Sequence, residues 1–143
     1  ADTPSVQLVG ANITHEIGIL GSIDRFVSIN SAVEVDLEGQ VNAEVVAGRQ
    51  ISGTGGSVDF MRAAKASRGG RSIIAMTATA KDDAISRIVP KVEMVTALRT
   101  DIDIVVTEYG VADLRHATQQ KRREALIGIA HPDFRTSLRT ASG

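Results

Sequence analysis

Two short stretches near the start of the chain alternate between apolar and polar residues. They cover residues 26–30 and 33–36, and their period is that of a strand with one buried face. Two later stretches, 73–76 and 104–106, are apolar throughout, as in parallel strands that are covered on both faces. The pattern predicts an α/β fold in which helices flank a mixed or mostly parallel sheet.

Two helices are predicted in the first half of the chain. Thr14 is a possible N-cap for a short amphipathic helix over residues 14–23, which its glycines weaken. Ser57 is expected to cap a second helix, which the pair Gly69-Gly70 should end. The second helix would follow a strand and a glycine-rich loop.

A third helix is predicted over residues 119–130, with Thr118 as its N-cap. His131 stands before a proline, and we expect it to close the C-terminus of this helix. His15, His116 and His131 have no pairwise spacing suited to a shared metal ion, so no metal site is predicted.

A glycine-rich loop precedes the second helix and contains Gly53, Gly55 and Gly56. Glycines allow positive φ and let a ligand approach the backbone N–H groups. The helix start adds unpaired N–H groups and a positive dipole end, so an anion or oxyanion could bind there. A plain structural turn is the commoner role of such a loop, and its spacing is neither a Walker nor a dinucleotide motif. Taken alone, these residues leave open a stand-alone binding module for a phosphate-bearing or nucleotide-type ligand.

Composition narrows the class of protein. Of the 143 residues, 43% are apolar and 23% charged, which is typical of a soluble globular protein, and we expect one domain over residues 1–143. The net charge of −1 gives no reason to expect a nucleic-acid or membrane partner. The absence of cysteine excludes disulfides and thiolate chemistry and favours a cytoplasmic location. Since the chain lacks an initial Met and a secretory signal pattern, we expect it to be a fragment of a larger protein.

Several motifs follow one another in an order that carries a family resemblance. They are VSINSAVEVDLEGQVNAE at 27–44, SGTGGSVDF at 52–60, GGRSIIA at 69–75, ISRIVP at 85–90, VTEYGVADLR at 106–115 and IAHPDFR at 129–135. Over residues 14–138, this series resembles the C-terminal domain of the acetyl-CoA hydrolase/transferase family, which includes 4-hydroxybutyrate and succinyl-CoA:acetate CoA-transferases. Each motif alone would be weak, but their shared order makes the resemblance specific.

The resemblance implies a CoA-transferase-like fold and a reaction between an acyl-CoA and a small carboxylate. In that family a glutamate attacks the acyl-CoA and then carries CoA as a glutamyl thioester. By resemblance this glutamate lies upstream of the chain, which should therefore be inactive alone and need the N-terminal domain of the same enzyme, in a homodimer. CoA is a substrate, and no covalently bound cofactor is implied. An acyl-CoA hydrolase is the alternative, and an isolated structural domain with an exposed apolar face is a third hypothesis.

The resemblance also implies roles for individual residues. Gly56 matches a family position whose backbone N–H faces the thioester carbonyl, as part of an oxyanion hole. Ser52 and Lys81 match positions that contact CoA, and Val33 matches another such position. A lysine suits a CoA phosphate as a point charge. The role of His15 stays open, because this region departs from the Asn-x-Pro turn of many family members.

Overall fold

The computed structural model describes residues 6–141. In chain order, its elements are α1 (Ala11–Thr14), α2 (Ile17–Gly21), β1 (Val27–Asn30), β2 (Glu34–Asp36), β3 (Val41–Asn42), β4 (Val45–Val46), β5 (Arg49–Gln50), α3 (Ser57–Ala66), β6 (Arg71–Ala75), β7 (Thr79–Ala80), β8 (Ile85–Ser86), β9 (Ile88–Val89), β10 (Ile104–Thr107), β11 (Gly110–Asp113), α4 (Gln119–Gly128) and α5 (Pro132–Thr140).

The main sheet of the described residues has the strand order β1-β6-β10-β11. Strands β1, β6 and β10 run parallel, and β11 returns antiparallel to β10. The two apolar runs of the sequence form β6 and β10 in the middle of this sheet, where parallel strands are expected. The predicted α/β class with a mixed, mostly parallel sheet is confirmed.

Smaller β structures lie in the connections between the parallel strands. Strand β2 pairs in parallel with β9 and antiparallel with β3, and β4–β5 and β7–β8 form two hairpins. The turn after β2 is closed by the buried carboxylate of Asp36, which accepts hydrogen bonds from the N–H groups of Glu38 at 3.0 Å and Gln40 at 2.9 Å. These short elements provide the loops around the candidate site.

The helices of the first half begin at other residues than predicted. Thr14 is the last residue of α1, and the side chain of Glu16 caps α2 by accepting a hydrogen bond from the Gly18 N–H at 3.1 Å. The expected Thr14 cap is therefore wrong. Helix α3 has Gly56 as its N-cap, whereas Ser57 is its first residue and its hydroxyl donates to the Thr54 carbonyl at 2.8 Å. The expected Ser57 cap is also wrong, although the helix itself is confirmed.

The predicted C-terminal helix is α4, and Thr118 is its N-cap, accepting from the Lys121 N–H at 3.3 Å. His131 has a different role from the expected one. Its Nδ1 accepts from the Asp133 N–H at 3.3 Å, so it caps the start of α5 rather than the end of α4. Proline is favoured at the first position of a helix, and Pro132 is the first residue of α5.

One face of the main sheet belongs to the hydrophobic core. Its buried side chains include Ile74, Val105 and Ala112, which are at most 1% exposed. They form one cluster with Met61 of α3 and Leu126 of α4. Helices α3 and α4 thus cover this inward face.

Candidate functional site

Two of the residues implicated by the sequence, Val33 and Lys81, line one open cleft of about 370 Å³. The cleft lies among β2, the β4–β5 hairpin and the β7–β8 hairpin, and we call it the Val33–Lys81 cleft. Its other lining residues are Glu34, Val45, Val46, Ala47, Ala80, Ile85, Ser86, Arg87 and Glu93. Residues 48 positions apart in sequence thus meet through the packing of separate β elements.

Lys81 begins a strained turn between β7 and β8. Lys81, Asp82 and Asp83 have φ values of 53°, 51° and 66°, a left-handed conformation that non-glycine residues seldom adopt. The turn is held by the Ala84 N–H, which donates to the Lys81 carbonyl at 3.1 Å, and by the Thr79 hydroxyl, which donates to the Asp83 carboxylate. Backbone strain of this kind clusters at ligand sites. Among residues 6–141, no ion pair engages the exposed Lys81 ammonium, so its charge is available to a ligand.

Arg87 holds the wall of the Val33–Lys81 cleft together. Its Nε donates to the Val33 carbonyl at 2.8 Å, another guanidinium nitrogen donates to the Ala32 carbonyl, and a third donates to the Thr77 hydroxyl at 2.9 Å. Burial lowers the pKa of Arg87 from its usual value, and the charge of Glu108 opposes this shift. The sequence motif included Arg87, but its role was missed because its two carbonyl partners, in Val33 and Ala32, are distant in sequence.

Two carboxylates of the cleft are already used within the fold. Glu34 accepts hydrogen bonds from the Asn42 amide at 3.0 Å and from the Glu93 N–H at 2.8 Å. Glu93 in turn accepts from the Gly48 N–H at 2.6 Å. These bonds fix the loop after β4, so the acidic side chains shape the cleft, whereas no described residue forms an ion pair with the Lys81 ammonium.

Ser52 lies on the exposed glycine loop and does not line the Val33–Lys81 cleft. Its hydroxyl donates to the Gly53 carbonyl at 3.1 Å. Gly55 has a φ of +52°, which explains its identity, and a Cβ at Gly53 or Gly55 would meet no atom within 4 Å. The open space beside these two glycines is consistent with the predicted approach of a ligand to the loop backbone.

Gly56 has a different structural reason for being glycine. Its φ of −93° suits any residue, but a Cβ there would lie 2.6 Å from Cε1 of His15. The His15 ring packs edge-on against Phe60, with ring centroids 4.9 Å apart. No described side chain caps the N-terminus of α3 at Gly56, so this helix start can offer N–H groups to an oxyanion. His15, which the sequence left unassigned, covers one side of that helix start.

The four candidate residues therefore form two separate groups. Val33 and Lys81 share the cleft, whereas Ser52 and Gly56 lie on the glycine loop and the start of α3. A larger depression of about 580 Å³ is lined by α4 and α5 residues, but it contains none of the candidates. Two of its arginines, Arg123 and Arg139, already interact within the protein, so the Val33–Lys81 cleft is the better candidate site.

No helix among residues 6–141 is long and apolar enough to cross a membrane. The same residues contain no group of three or more histidine, cysteine, aspartate or glutamate side chains arranged to hold a metal ion.

Comparison with known proteins assigns the family. Residues 1–142 match the acetyl-CoA hydrolase/transferase C-terminal domain. The 4-hydroxybutyrate coenzyme A transferase of Clostridium kluyveri is 46% identical over 140 residues, which cover 96% of this chain and 33% of that protein. The acetyl-CoA hydrolase of Candida albicans is 38% identical over 119 residues, covering 78% of this chain and 22% of the relative.

A solved structure of a CoA-transferase has a similar fold. The 4-hydroxybutyrate CoA-transferase of Porphyromonas gingivalis superposes with a TM-score of 0.82 at 44% identity, over 97% of this chain and 32% of that chain. The chain thus spans about a third of the length of such relatives. On the match to its C-terminal domain and on these identities, the chain belongs to the acetyl-CoA hydrolase/transferase family.

Proposed function

We propose that this chain is the C-terminal part of a CoA-transferase, which moves CoA between an acyl-CoA and a small carboxylate. The observation that carries the proposal is the Val33–Lys81 cleft, in which a strained turn presents an exposed lysine beside apolar walls. CoA carries phosphates, which suit a lysine, and a pantetheine arm whose methyl and methylene groups suit an apolar wall. Membership of the acetyl-CoA hydrolase/transferase family supports the same chemistry.

In the proposed reaction, a glutamate outside these 143 residues attacks the carbonyl carbon of the acyl-CoA. The C–S bond breaks, CoA departs as the thiolate, and an acyl-glutamyl anhydride is formed. The thiolate then attacks the glutamyl carbonyl, which releases the acyl group as a free carboxylate and leaves a glutamyl-CoA thioester. An incoming carboxylate repeats these steps in reverse and departs as the new acyl-CoA, so charge and atoms balance without a bound cofactor.

The chain itself contributes binding and electrostatic groups to this scheme. Lys81 binds a CoA phosphate, Val33 contacts the apolar part of CoA, and Ser52 contacts CoA from the glycine loop. The Gly56 N–H stabilises the oxyanion that forms at the thioester carbonyl. The open space beside Gly53 supports the CoA contact of Ser52. The start of α3, which no described side chain caps, supports the oxyanion role of Gly56.

The remaining parts of the proposal concern the whole enzyme. The glutamate belongs to an N-terminal domain of the same polypeptide, and two copies of the full protein form a homodimer in the cytoplasm. The chain covers only about a third of the length of such relatives, which supports a longer parent enzyme. Hydrolysis is the second candidate activity, favoured by the acetyl-CoA hydrolase among the relatives. It differs in one step, because water rather than a carboxylate attacks the thioester.

Calorimetric titration with CoA tests the binding role of Lys81. We expect Lys81→Gln to raise the Kd for CoA about 3- to 10-fold, the value of one partly exposed charge contact, and to reduce the salt dependence of binding. The matched control is Lys121→Gln, which removes another exposed lysine, on α4. Equal CoA affinity of the two variants would contradict the proposed phosphate contact.

The two candidate activities are separated by product analysis of the full-length enzyme. Acyl-CoA is supplied with and without a carboxylate acceptor, and new acyl-CoA is measured beside free CoA. A transferase gives new acyl-CoA and little free CoA, whereas a hydrolase gives free CoA at a rate that does not depend on the acceptor. If the full-length enzyme forms neither new acyl-CoA nor free CoA, the proposed function is refuted.

A further inference from the structure

The main sheet has a second face that is apolar and open to solvent. On this side Ile29 is 66% exposed and Val111 is 65% exposed, while Ile73, Ile104 and Val106 are half-buried. The strand register places Ile29 beside Ile73 and Ile73 beside Ile104, and it pairs Val106 with Val111. These five residues form one continuous apolar surface across all four strands, which we call the outward face.

The outward face has the composition of a covered surface. A sheet face that meets water normally carries polar residues in alternation with the buried ones, whereas parallel sheets are apolar on both sides because helices cover both. Here the polar outward-pointing residues are Arg71 and Asp113, which lie at the ends of β6 and β11. An apolar centre with charged residues at its rim is the usual anatomy of a buried interface.

The described helices do not supply this cover. Helices α3 and α4 contribute their buried side chains to the core on the inward face, and Ile29 and Val111 stay exposed in their presence. The relatives are about three times as long as this chain, so a large amount of additional polypeptide exists in such enzymes. That polypeptide is large enough to provide the missing layer.

We propose that the outward face is the docking surface for amphipathic helices from the preceding polypeptide of the same protein. This inference rests on the proposed function, in which the chain is one part of a longer enzyme. A second copy of the chain fits the face less well, since it would stack one parallel sheet on another, whereas parallel sheets pack against helices. The contact fixes the C-terminal part against the part that carries the nucleophilic glutamate.

Thiol labelling of the full-length protein tests the docking. The chain contains no cysteine, so one introduced thiol is unique in this part of the protein, and peptide mass mapping separates it from cysteines elsewhere. The test variants are Ile29→Cys and Val111→Cys, at opposite edges of the sheet. Ser137→Cys on the exposed side of α5 is the accessible reference, and Ala112→Cys, at a position only 1% exposed, is the buried one.

We expect maleimide to label Ile29→Cys and Val111→Cys about 100-fold more slowly than Ser137→Cys, because a covered site reacts only after local opening. The protection should not change when the protein is diluted. Labelling within about threefold of Ser137→Cys would overturn the proposal, since a covered site cannot react that fast. Protection that disappears on dilution would also overturn it, because a second copy would then be the occupant.

CoA transfer measured on the same samples keeps this inference separate from the proposed function. A protein that transfers CoA but labels rapidly at both test positions refutes the docking and leaves the function intact. A protein that is protected at both positions but transfers no CoA refutes the function, while its protection still supports the docking surface.

Discussion

The contact between Gly56 and His15 predicts a specific coupling between two substitutions. In Gly56→Ala, the added Cβ would lie 2.6 Å from Cε1, 2.9 Å from Nδ1 and 3.1 Å from Nε2 of His15. All three distances are shorter than an ordinary van der Waals contact. The φ of −93° at Gly56 is allowed for alanine, so the cost of the substitution comes from the His15 ring and not from the backbone.

The size of the effect follows from how freely the His15 ring can move. The ring is half-buried and packs against Phe60, so a shift of the ring weakens that contact. We expect Gly56→Ala to cost about 1–2 kcal/mol, in the lower part of the range for overpacking. In a His15→Ala background the cost should fall to within about 0.5 kcal/mol of zero. Two smaller terms then cancel, because alanine is a poorer N-cap than glycine but reduces the entropy of the unfolded chain.

Urea unfolding of the wild type, both single variants and the double variant measures this coupling. Thermal unfolding offers a second readout, in which Gly56→Ala alone should lower Tm by roughly 3–8 °C. An equal cost of Gly56→Ala with and without the His15 ring would refute the reasoning. The glycine would then be required by something other than its contact with His15.

Two further predictions concern buried polar groups and acid stability. Ser72→Ala should stabilise the protein by about 0.5–1 kcal/mol in urea unfolding, because its hydroxyl is buried and has no hydrogen-bond partner among the described residues. The matched Ser28→Ala should instead destabilise by about 1 kcal/mol, because the Asn30 amide donates to the Ser28 hydroxyl at 2.8 Å; equal effects of both changes would contradict this account. Hydrogen bonds from Arg115 lower the pKa of Asp113 from 3.8 to about 2, so the stability that the ionised Asp113 contributes is present above 3.8 and is lost as the pH falls toward 2. In Arg115→Gln the pKa of Asp113, followed by NMR titration of its carboxyl carbon, should rise toward 3.8, and a value that stays near 2 would exclude Arg115 as the cause.

The sequence predicted the elements whose periodicity is strong and misplaced some of their ends. Strands β6 and β10 were found because both of their faces are apolar, and α3 and α4 because their apolar residues recur at helical spacing. The Ser57 cap failed because the Ser57 hydroxyl bonds to the Thr54 carbonyl instead of a helix N–H. Helix α5 was missed because a proline can begin a helix as well as end one, and the stop at His131 was the expected alternative.

The candidate site was less accessible to sequence reasoning than the fold. Local patterns identified the glycine loop, but the meeting of Val33 and Lys81 in one cleft depends on contacts between distant segments. Their selection came from the family resemblance, and their CoA-binding roles stay predictions. Arg87 was missed for the same physical reason, because its carbonyl partners are far away along the chain.

The bonds of Arg87 also have a consequence for the order of folding. They join segments that are 54 and 55 residues apart, whereas the β7–β8 hairpin needs only a short loop to close. Contacts across long loops form late, because the entropy of loop closure must be overcome first. A nascent or partly folded chain can therefore contain its hairpins and helices without the Val33–Lys81 cleft, and ligand binding would report the completion of folding rather than its onset.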